Sequence, residues 1–267
     1  MKTLYVVPWY DCNLKCSHCN VRMRKVKSDF RKLIKTLRTA QAENIILFGG
    51  EPTLYWEKTQ QIIATRKITS ISTNLMSSEW FTENYLAIAL KQFNISVATS
   101  WNYERFTDEQ LQTWLTNLRA LTRKGIDVLV LITLTERLLE GSLTRVNDVL
   151  DMIEGVGVQK FLYEPYIGKN ECNEKADEWL CMFHDKYTGG MTNLIEEKLD
   201  NWNCDCNETY TLEPDGEIRK GCPDSLALRE KTYCTDCLTC DKVDRCRPCM
   251  LQKTCSYPKK LSEKLGR

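Results

Sequence analysis

The sequence shows no long apolar run, no signal-peptide pattern in its opening residues and no surplus of charge of either sign. Its unbroken apolar stretches, such as Val128 to Ile132, fall far short of the roughly 20 residues that cross a bilayer. The opening Met-Lys-Thr-Leu-Tyr-Val-Val-Pro-Trp has neither the length nor the small-residue cleavage site of a signal peptide. A cytoplasmic protein with no membrane partner is therefore expected. Lys and Arg number 37 against 36 Asp and Glu, a net charge of +1, which gives no electrostatic case for a nucleic-acid partner. The tail cations Lys259, Lys260, Lys264 and Arg267 read as a solvated terminus. Between residues 20 and 171 there is no cysteine at all.

That gap gives meaning to what is present. The chain has 267 residues, 42% hydrophobic and 27% charged, enough for a large domain with a buried core. It also has 14 cysteines. In a reducing compartment such a set points to metal ligation rather than disulfides. Three lie in residues 12–19, Cys172 and Cys181 stand alone as free thiols, and nine crowd residues 204–255. Two cysteine sites flank a cysteine-free body.

Up to about residue 168, short β-rich runs alternate with segments of helical period. Strands are expected at Thr3–Pro8, Asn44–Phe48, Ile68–Thr73, Asn94–Ser100, Ile126–Leu134 and Lys160–Glu164. Several are almost continuously apolar, as parallel strands covered on both faces are. Helices are expected near 28–43, 54–66, 78–91, 107–123 and 142–154, with Thr107-Asp108 as an N-terminal cap. Six such strands, against the eight of a closed barrel, predict an α/β fold: a partial (β/α)6 barrel with an open parallel sheet. Residues 1–168 form this core. Residues 169–203 read as a helical linker (Glu174–Tyr187 and Thr192–Asp200) broken at Gly189-Gly190. Residues 204–267 read as a small cysteine-rich domain with one hairpin, Tyr210–Ile218 around Pro214-Asp215-Gly216, organised by metal rather than by a hydrophobic core.

The first cysteine group, Cys12-Asn13-Leu14-Lys15-Cys16-Ser17-His18-Cys19, has the spacing C-x3-C-x2-C. It follows the first strand at its C-terminal end, where α/β barrels keep their chemistry. Three thiolates anchor three irons of a cubane and leave the fourth open. A zinc site completed by a fourth ligand such as His18 is the rival reading, although structural zinc favours paired C-x2-C knuckles. The second strand ends in Gly49-Gly50-Glu51-Pro52, about 30 residues on. Two glycines permit close backbone approach, and Glu51 supplies a counter-charge for an ammonium.

These two motifs resemble those of the radical S-adenosylmethionine (SAM) superfamily. The resemblance covers residue 3 to about residue 165. It implies that Cys12, Cys16 and Cys19 hold a [4Fe–4S] cluster whose open iron chelates the methionine moiety of SAM. It implies that His18 packs near the adenine, and that Gly49, Gly50 and Glu51 bind the methionine amino group. Ser72, Thr73 and Asn74, ending the third strand, resemble the ribose-contact region. Ser100, ending the fourth, is placed to reach ribose or carboxylate; Asn102 stands where many relatives carry an acid, so no role of that acid is carried over.

The C-terminal cysteines follow the order Cys204, Cys206, Gly216, Cys222, then Cys234, Cys237, Cys240, Cys246, Cys249 and Cys255. They resemble the SPASM extension of radical SAM enzymes, with two spacings off by one residue and with Cys234 and one of Cys204 and Cys206 surplus. By position the resemblance implies one auxiliary [4Fe–4S] cluster on Cys204 or Cys206 with Cys222 and Cys249. A second would use Cys237, Cys240, Cys246 and Cys255. One cluster rather than two, or a zinc ribbon, are the alternatives.

The implied chemistry starts with one electron from an external donor, flavodoxin- or ferredoxin-like. SAM is then cleaved to a 5′-deoxyadenosyl radical that removes a hydrogen atom from substrate, and auxiliary clusters assist oxidation or crosslinking. A peptide or protein side chain is the expected substrate. A small molecule such as a sugar, amino acid or nucleoside is the alternative, and a non-catalytic zinc-binding interaction protein the reading from another class. Tyr103, Glu104, Tyr163, Glu164 and Tyr166, near strand ends, are candidates to face substrate, with ordinary packing as the rival explanation of each.

Overall fold

The computed structural model describes residues 1–16, 19, 21, 24–102, 105–135, 138, 143–165, 187–194, 208–223 and 226. Its elements begin with β1 (Thr3–Val6), α1 (Phe30–Thr39), β2 (Asn44–Leu47), α2 (Trp56–Ile63) and β3 (Ser70–Ser72). Next come α3 (Glu79–Phe81), α4 (Ala87–Gln92), β4 (Ser96–Trp101), α5 (Asp108–Arg123) and β5 (Val128–Leu134). Then follow α6 (Leu143–Gly155), β6 (Lys160–Pro165), the two-residue β7 (Thr192–Asn193) and a hairpin of β8 (Thr209–Leu212) and β9 (Ile218–Lys220). The six expected strands are all present, and so are the five expected helices. The helix at 78–91 departs from plan in its middle turn, Thr82–Leu86, which is π-helical. The fold is mixed α/β, with a mostly parallel, open sheet.

The chain forms two compact units. The first contains Met1–Asn74, Ile88–Val97 and the described part of Cys204–Leu251. Its strands run in the order β3-β2-β1-β8-β9. β1 is parallel to β2, with Thr3 opposite Asn44 and Val6 opposite Leu47. α1 starts where the Asp29 side chain accepts a hydrogen bond from Lys32 N, capping an otherwise unpaired donor. Leu33 and Leu37, one turn apart, are fully buried with Leu4, Val6, Leu47, Ile62 and Ile71. Each such side chain contributes about 1.5–3 kcal/mol by leaving water, which makes this the core that fixes the strand ends.

The C-terminal hairpin forms as expected around Gly216, which adopts φ +79. Its place is set by sheet pairing and burial, where the sequence led us to expect organisation by metal. β8 pairs in parallel with β1, Thr3 opposite Thr209 through Val6 opposite Leu212, and Thr211, Leu212 and Glu213 are completely buried. An edge strand exposes a row of unpaired backbone groups, and the edge of β1 is satisfied by this segment. The hairpin therefore belongs to the hydrophobic core of the first unit.

The second unit contains the described parts of Leu75–Ala87 and Ala98–Asn203, and β4 passes from the first unit into it. β5 and β6 are parallel over six residue pairs. Thr107 caps α5 in a capping box with Gln110, and Trp114, Leu115, Leu118 and Leu121 form its buried face. The linker helix expected from Thr192 is replaced at its start by β7, which pairs in parallel with β6. Glu154 accepts hydrogen bonds from Tyr187 Oη and Gly190 N. These hold the Gly189-Gly190 break against α6 and deliver β-branched Thr192 to the strand edge. Among the described residues, no helix is long and apolar enough to cross a membrane.

Candidate active site

The cysteine loop leaves β1 at Val7, whose N–H donates to Leu212 O at 2.8 Å. Cys12, Cys16 and Cys19 form no disulfide, and each is half-buried. Leu14 N donates to Cys12 Sγ at 3.4 Å and Asn74 Nδ2 at 3.6 Å. Burial pushes the Cys12 thiol pKa up, the Leu14 N–H offsets part of this, and the nearby Glu51 and Cys16 add to the rise. A bound metal reverses that balance, because a coordinating thiol is deprotonated outright.

The turn after β2 lies directly against this loop. Gly50 N donates to Trp9 O at 3.1 Å and Glu51 N to Asp11 O at 2.8 Å. Trp9 Nε1 returns a bond to Glu51 O at 2.9 Å. A Cβ on Gly50 would stand 1.9 Å from Asp11 O, and one on Gly49, at φ +130, 2.6 Å from Trp9 O. The glycines are thus needed because the cysteine loop's own backbone occupies the space beside them. The Trp9 and Tyr55 rings meet edge to face at 5.0 Å, and Tyr55 Oη donates to Asp11 Oδ2 at 3.0 Å.

Glu51 is 1% exposed, and a buried carboxylate requires donors. Its Oε1 accepts from Thr53 N (2.9 Å), Thr53 Oγ1 (2.7 Å) and Thr73 Oγ1 (2.7 Å), and its Oε2 accepts from Asn74 N at 2.7 Å. Asn74 Nδ2 in turn reaches Asn13 Oδ1 at 2.7 Å. One carboxylate therefore joins the turns after β2 and β3, and Asn74 carries the connection to the cysteine loop. A carboxylate oxygen offers two lone pairs, so Oε2 can still take a further donor such as an ammonium.

Residues 6–139 match the model of the Radical SAM superfamily, half of the chain. The chain belongs to the radical SAM superfamily. Two crystal structures of Streptococcus suis SuiB, one bound to S-adenosylmethionine, share the fold of this radical SAM chain. The SAM-bound structure has a TM-score of 0.57 at 13% identity, covering 93% of this chain and 71% of SuiB. The other has a TM-score of 0.56 at 15% identity, covering 98% of this chain and 65% of SuiB. No curated protein matches.

Radical SAM membership implies a [4Fe–4S] cluster and SAM, and the donor set fits the cluster. Three half-buried thiols share one loop, and two N–H groups point at the Cys12 sulfur, a recognised means of tuning an iron–sulfur site. No three His, Cys, Asp or Glu side chains converge on a single-ion site among the described residues. That is compatible with a cubane, whose three thiolates bind three different irons and stand further apart than ligands around one zinc.

The other sequence-assigned residues divide. Ser72, Thr73 and Asn74 sit beside the cysteine loop in the first unit. Ser100 lies in the second, where Arg105 Nη1 donates to its carbonyl at 2.6 Å and to its hydroxyl. Tyr163 is 2% exposed and packs edge to face on Phe161, so packing rather than substrate contact accounts for it. Cys222 is half-buried at the end of the hairpin, after Gly221, whose N–H donates to Thr209 O at 2.8 Å. His18, Tyr103, Glu104, Tyr166, Cys172, Cys181, Cys204, Cys206, Cys234, Cys237, Cys240, Cys246, Cys249 and Cys255 lie outside the described residues.

Sequence reasoning missed a buried network next to the loop. Glu213, fully buried, accepts from Tyr10 Oη at 2.5 Å, from both Nε and Nη2 of Arg24, and from Arg219 Nη1 at 2.7 Å. Arg24 is 7% exposed. Tyr10 stands two residues before Cys12, so the network ties the cysteine loop to the hairpin that leads to Cys222. Burial, then Glu213, raises the Tyr10 phenol pKa well beyond its ordinary range. No local pattern announces these residues, because Tyr10 and Glu213 are 203 positions apart.

Proposed function

We propose that this radical SAM chain binds SAM on a [4Fe–4S] cluster held by Cys12, Cys16 and Cys19, and takes a hydrogen atom from a peptide or protein side chain. The Glu51 brace carries the first half of this reading: it holds the cysteine loop, the Gly-Gly-Glu-Pro turn and the Thr73-Asn74 turn in one arrangement. A cluster on these three thiols, with SAM bound, would supply the chemistry of one-electron reductive SAM cleavage. The chain's own residues position this chemistry. Oε2 of Glu51 accepts from the SAM ammonium, and Leu14 N and Asn74 Nδ2 steady the Cys12 thiolate. The Trp9–Tyr55 pair braces the loop through the Tyr55 Oη bond to Asp11. The family resemblance gives His18 the adenine contact and Ser72, Thr73 and Asn74 the ribose contact. SAM bound to SuiB supports the cofactor assignment.

The C-terminal cysteines hold one or two auxiliary clusters, on Cys204 or Cys206 with Cys222 and Cys249, and on Cys237, Cys240, Cys246 and Cys255. Such clusters would supply an electron acceptor for oxidation or crosslinking of the substrate. The hairpin position of Cys222 supports a ligand role, since the sheet fixes the strand that precedes it.

The test is anaerobic incubation with SAM and dithionite, wild type beside Cys16→Ala. Wild type forms 5′-deoxyadenosine and the variant does not; equal amounts from both would sink the assignment. Reconstituted protein carries about eight or about twelve irons for one or two auxiliary clusters, and about four if there is none.

A further inference from the structure

Consecutive residues of the C-terminal hairpin hold both stems of the cysteine loop. On the entering side, Val7 N donates to Leu212 O at 2.8 Å and Tyr10 Oη to Glu213 Oε1 at 2.5 Å. On the leaving side, Arg24 donates to Glu213 through Nε and Nη2, and Asp29 N donates to Pro214 O at 2.7 Å. Short turns carry the backbone from the last cysteine to Arg24. Cys19 N donates to Cys16 O at 3.3 Å, and Arg24 N to Val21 O at 3.1 Å. Val21 and Arg24 are both buried, so this stem is packed as well as bonded.

Arg24 makes a third side-chain contact. Its Nη1 donates to Leu226 O at 3.4 Å. Leu226 N in turn donates to Cys222 O at 3.1 Å, four residues back, as in one turn of α-helix. A single guanidinium therefore touches the carboxylate that grips the cysteine loop and the turn that begins at Cys222. All of these residues belong to the first unit. A guanidinium is planar and its donors point in fixed directions, so the fork sets the Cys222 turn relative to Glu213.

Stability alone gives no reason for this arrangement. A buried ion pair is costly to desolvate, and apolar side chains of similar volume often stabilise a core as well or better. Directional bonds add a defined geometry, and here that geometry lies between the two groups of cysteines.

We infer that Arg24 is a positioning residue that couples the SAM-cluster loop to the Cys222 turn, so that ligation at Cys222 strengthens SAM binding at Cys12, Cys16 and Cys19. The inference rests on the function proposed above, which makes Cys222 a ligand. With Cys222 ligated, its turn holds Leu226 O in place for the Arg24 fork. Arg24 and Glu213 then hold both stems of the loop that presents the three thiols. Arg24 acts only through Glu213 and Leu226. Linkage makes the effect reciprocal: SAM at the first site favours ligation at Cys222 by the same factor.

The test uses full-length reconstituted protein in four forms: wild type, Cys222→Ala, the pair Arg24→Met with Glu213→Gln, and all three changes together. The pair removes the fork and its counter-charge at once, so no stranded charge unfolds the loop. Its urea midpoint is expected near that of wild type. The SAM dissociation constant is measured by anaerobic equilibrium dialysis of oxidised protein, in which SAM is not cleaved. Cys222→Ala is expected to weaken SAM binding about tenfold in the wild-type background, within the usual range of coupling between sites. The pair weakens it by a similar factor, and Cys222→Ala then adds nothing, because the connection is already cut. Arg24→Lys gives a second reading. It keeps the charge beside Glu213 but loses the fork, so the Cys222→Ala effect should vanish there too. Wild-type affinity in the pair overturns the inference. So does a Cys222→Ala effect that is absent in wild type, or equal with and without Arg24. Failure of wild type to bind SAM or to form 5′-deoxyadenosine with dithionite refutes the proposed function instead, and that arm tells the two failures apart.

Discussion

Glu213→Gln preserves the shape of the side chain in the buried network and removes its charge. Tyr10 keeps an oxygen to donate to, but Arg24, 7% exposed, loses its counter-charge. Breaking one side of a buried, hydrogen-bonded pair costs about 3–5 kcal/mol, because the remaining charge stays desolvated. Arg219 adds little to the loss: its side chain is 36% exposed and keeps Asp215 at 2.6 Å. The expected destabilisation is therefore about 4 kcal/mol, nearly all of it through Arg24. Urea unfolding of the reduced apoprotein would read this as a midpoint lower by on the order of 1–2 M with an unchanged slope. The double variant Arg24→Met, Glu213→Gln removes the stranded cation and should recover most of the loss. A single-variant cost below about 1 kcal/mol would refute the reasoning. So would a double variant as unstable as the sum of both single ones.

Tyr10 gives a prediction in pH. Its folded-state pKa lies above the unfolded value of 10.0, so its contribution is complete below about pH 10 and is lost as pH rises further. Tyr10→Phe should flatten that alkaline limb in part, since the burial-raised phenol of Tyr163 retains its own share; an unchanged limb would show that Tyr10 is not buried against Glu213. Gly50→Ala places a Cβ 1.9 Å from Asp11 O, a backbone atom that cannot swing aside. We expect a stability loss of about 1–3 kcal/mol and reduced iron uptake at the Cys12, Cys16 and Cys19 site, read by iron analysis after reconstitution; full iron loading would mean that the loop tolerates the displacement.

Much of this was legible from side-chain pattern. The apolar runs at Asn44–Phe48 and Ile126–Leu134 marked buried strands, and the cysteine spacing with Gly49-Gly50-Glu51-Pro52 marked the site. What escaped was set by backbone geometry or by distant partners. β8 joins β1 because a strand edge needs pairing, which leaves no trace in the periodicity of Thr209–Leu212. Thr192 entered a strand because Glu154 holds the preceding glycines, a contact 36 residues long. Glu51 read as a counter-charge for a ligand; its four protein donors show that it also braces the strand ends. Arg24 drew no notice in the sequence, because its partner lies 189 positions away.

The parallel pairing of β1 with β8 also bears on how the protein is made. The cysteine loop is synthesised first, yet Glu213, which clamps it, arrives 203 residues after Tyr10. At translation rates of about 5–20 residues per second, the N-terminal thiols pass on the order of ten seconds or more in a nascent chain before the hairpin can close over them. Such a long-range contact also delays folding through loop-closure entropy. A product truncated before β8 leaves the loop without its Glu213 clamp.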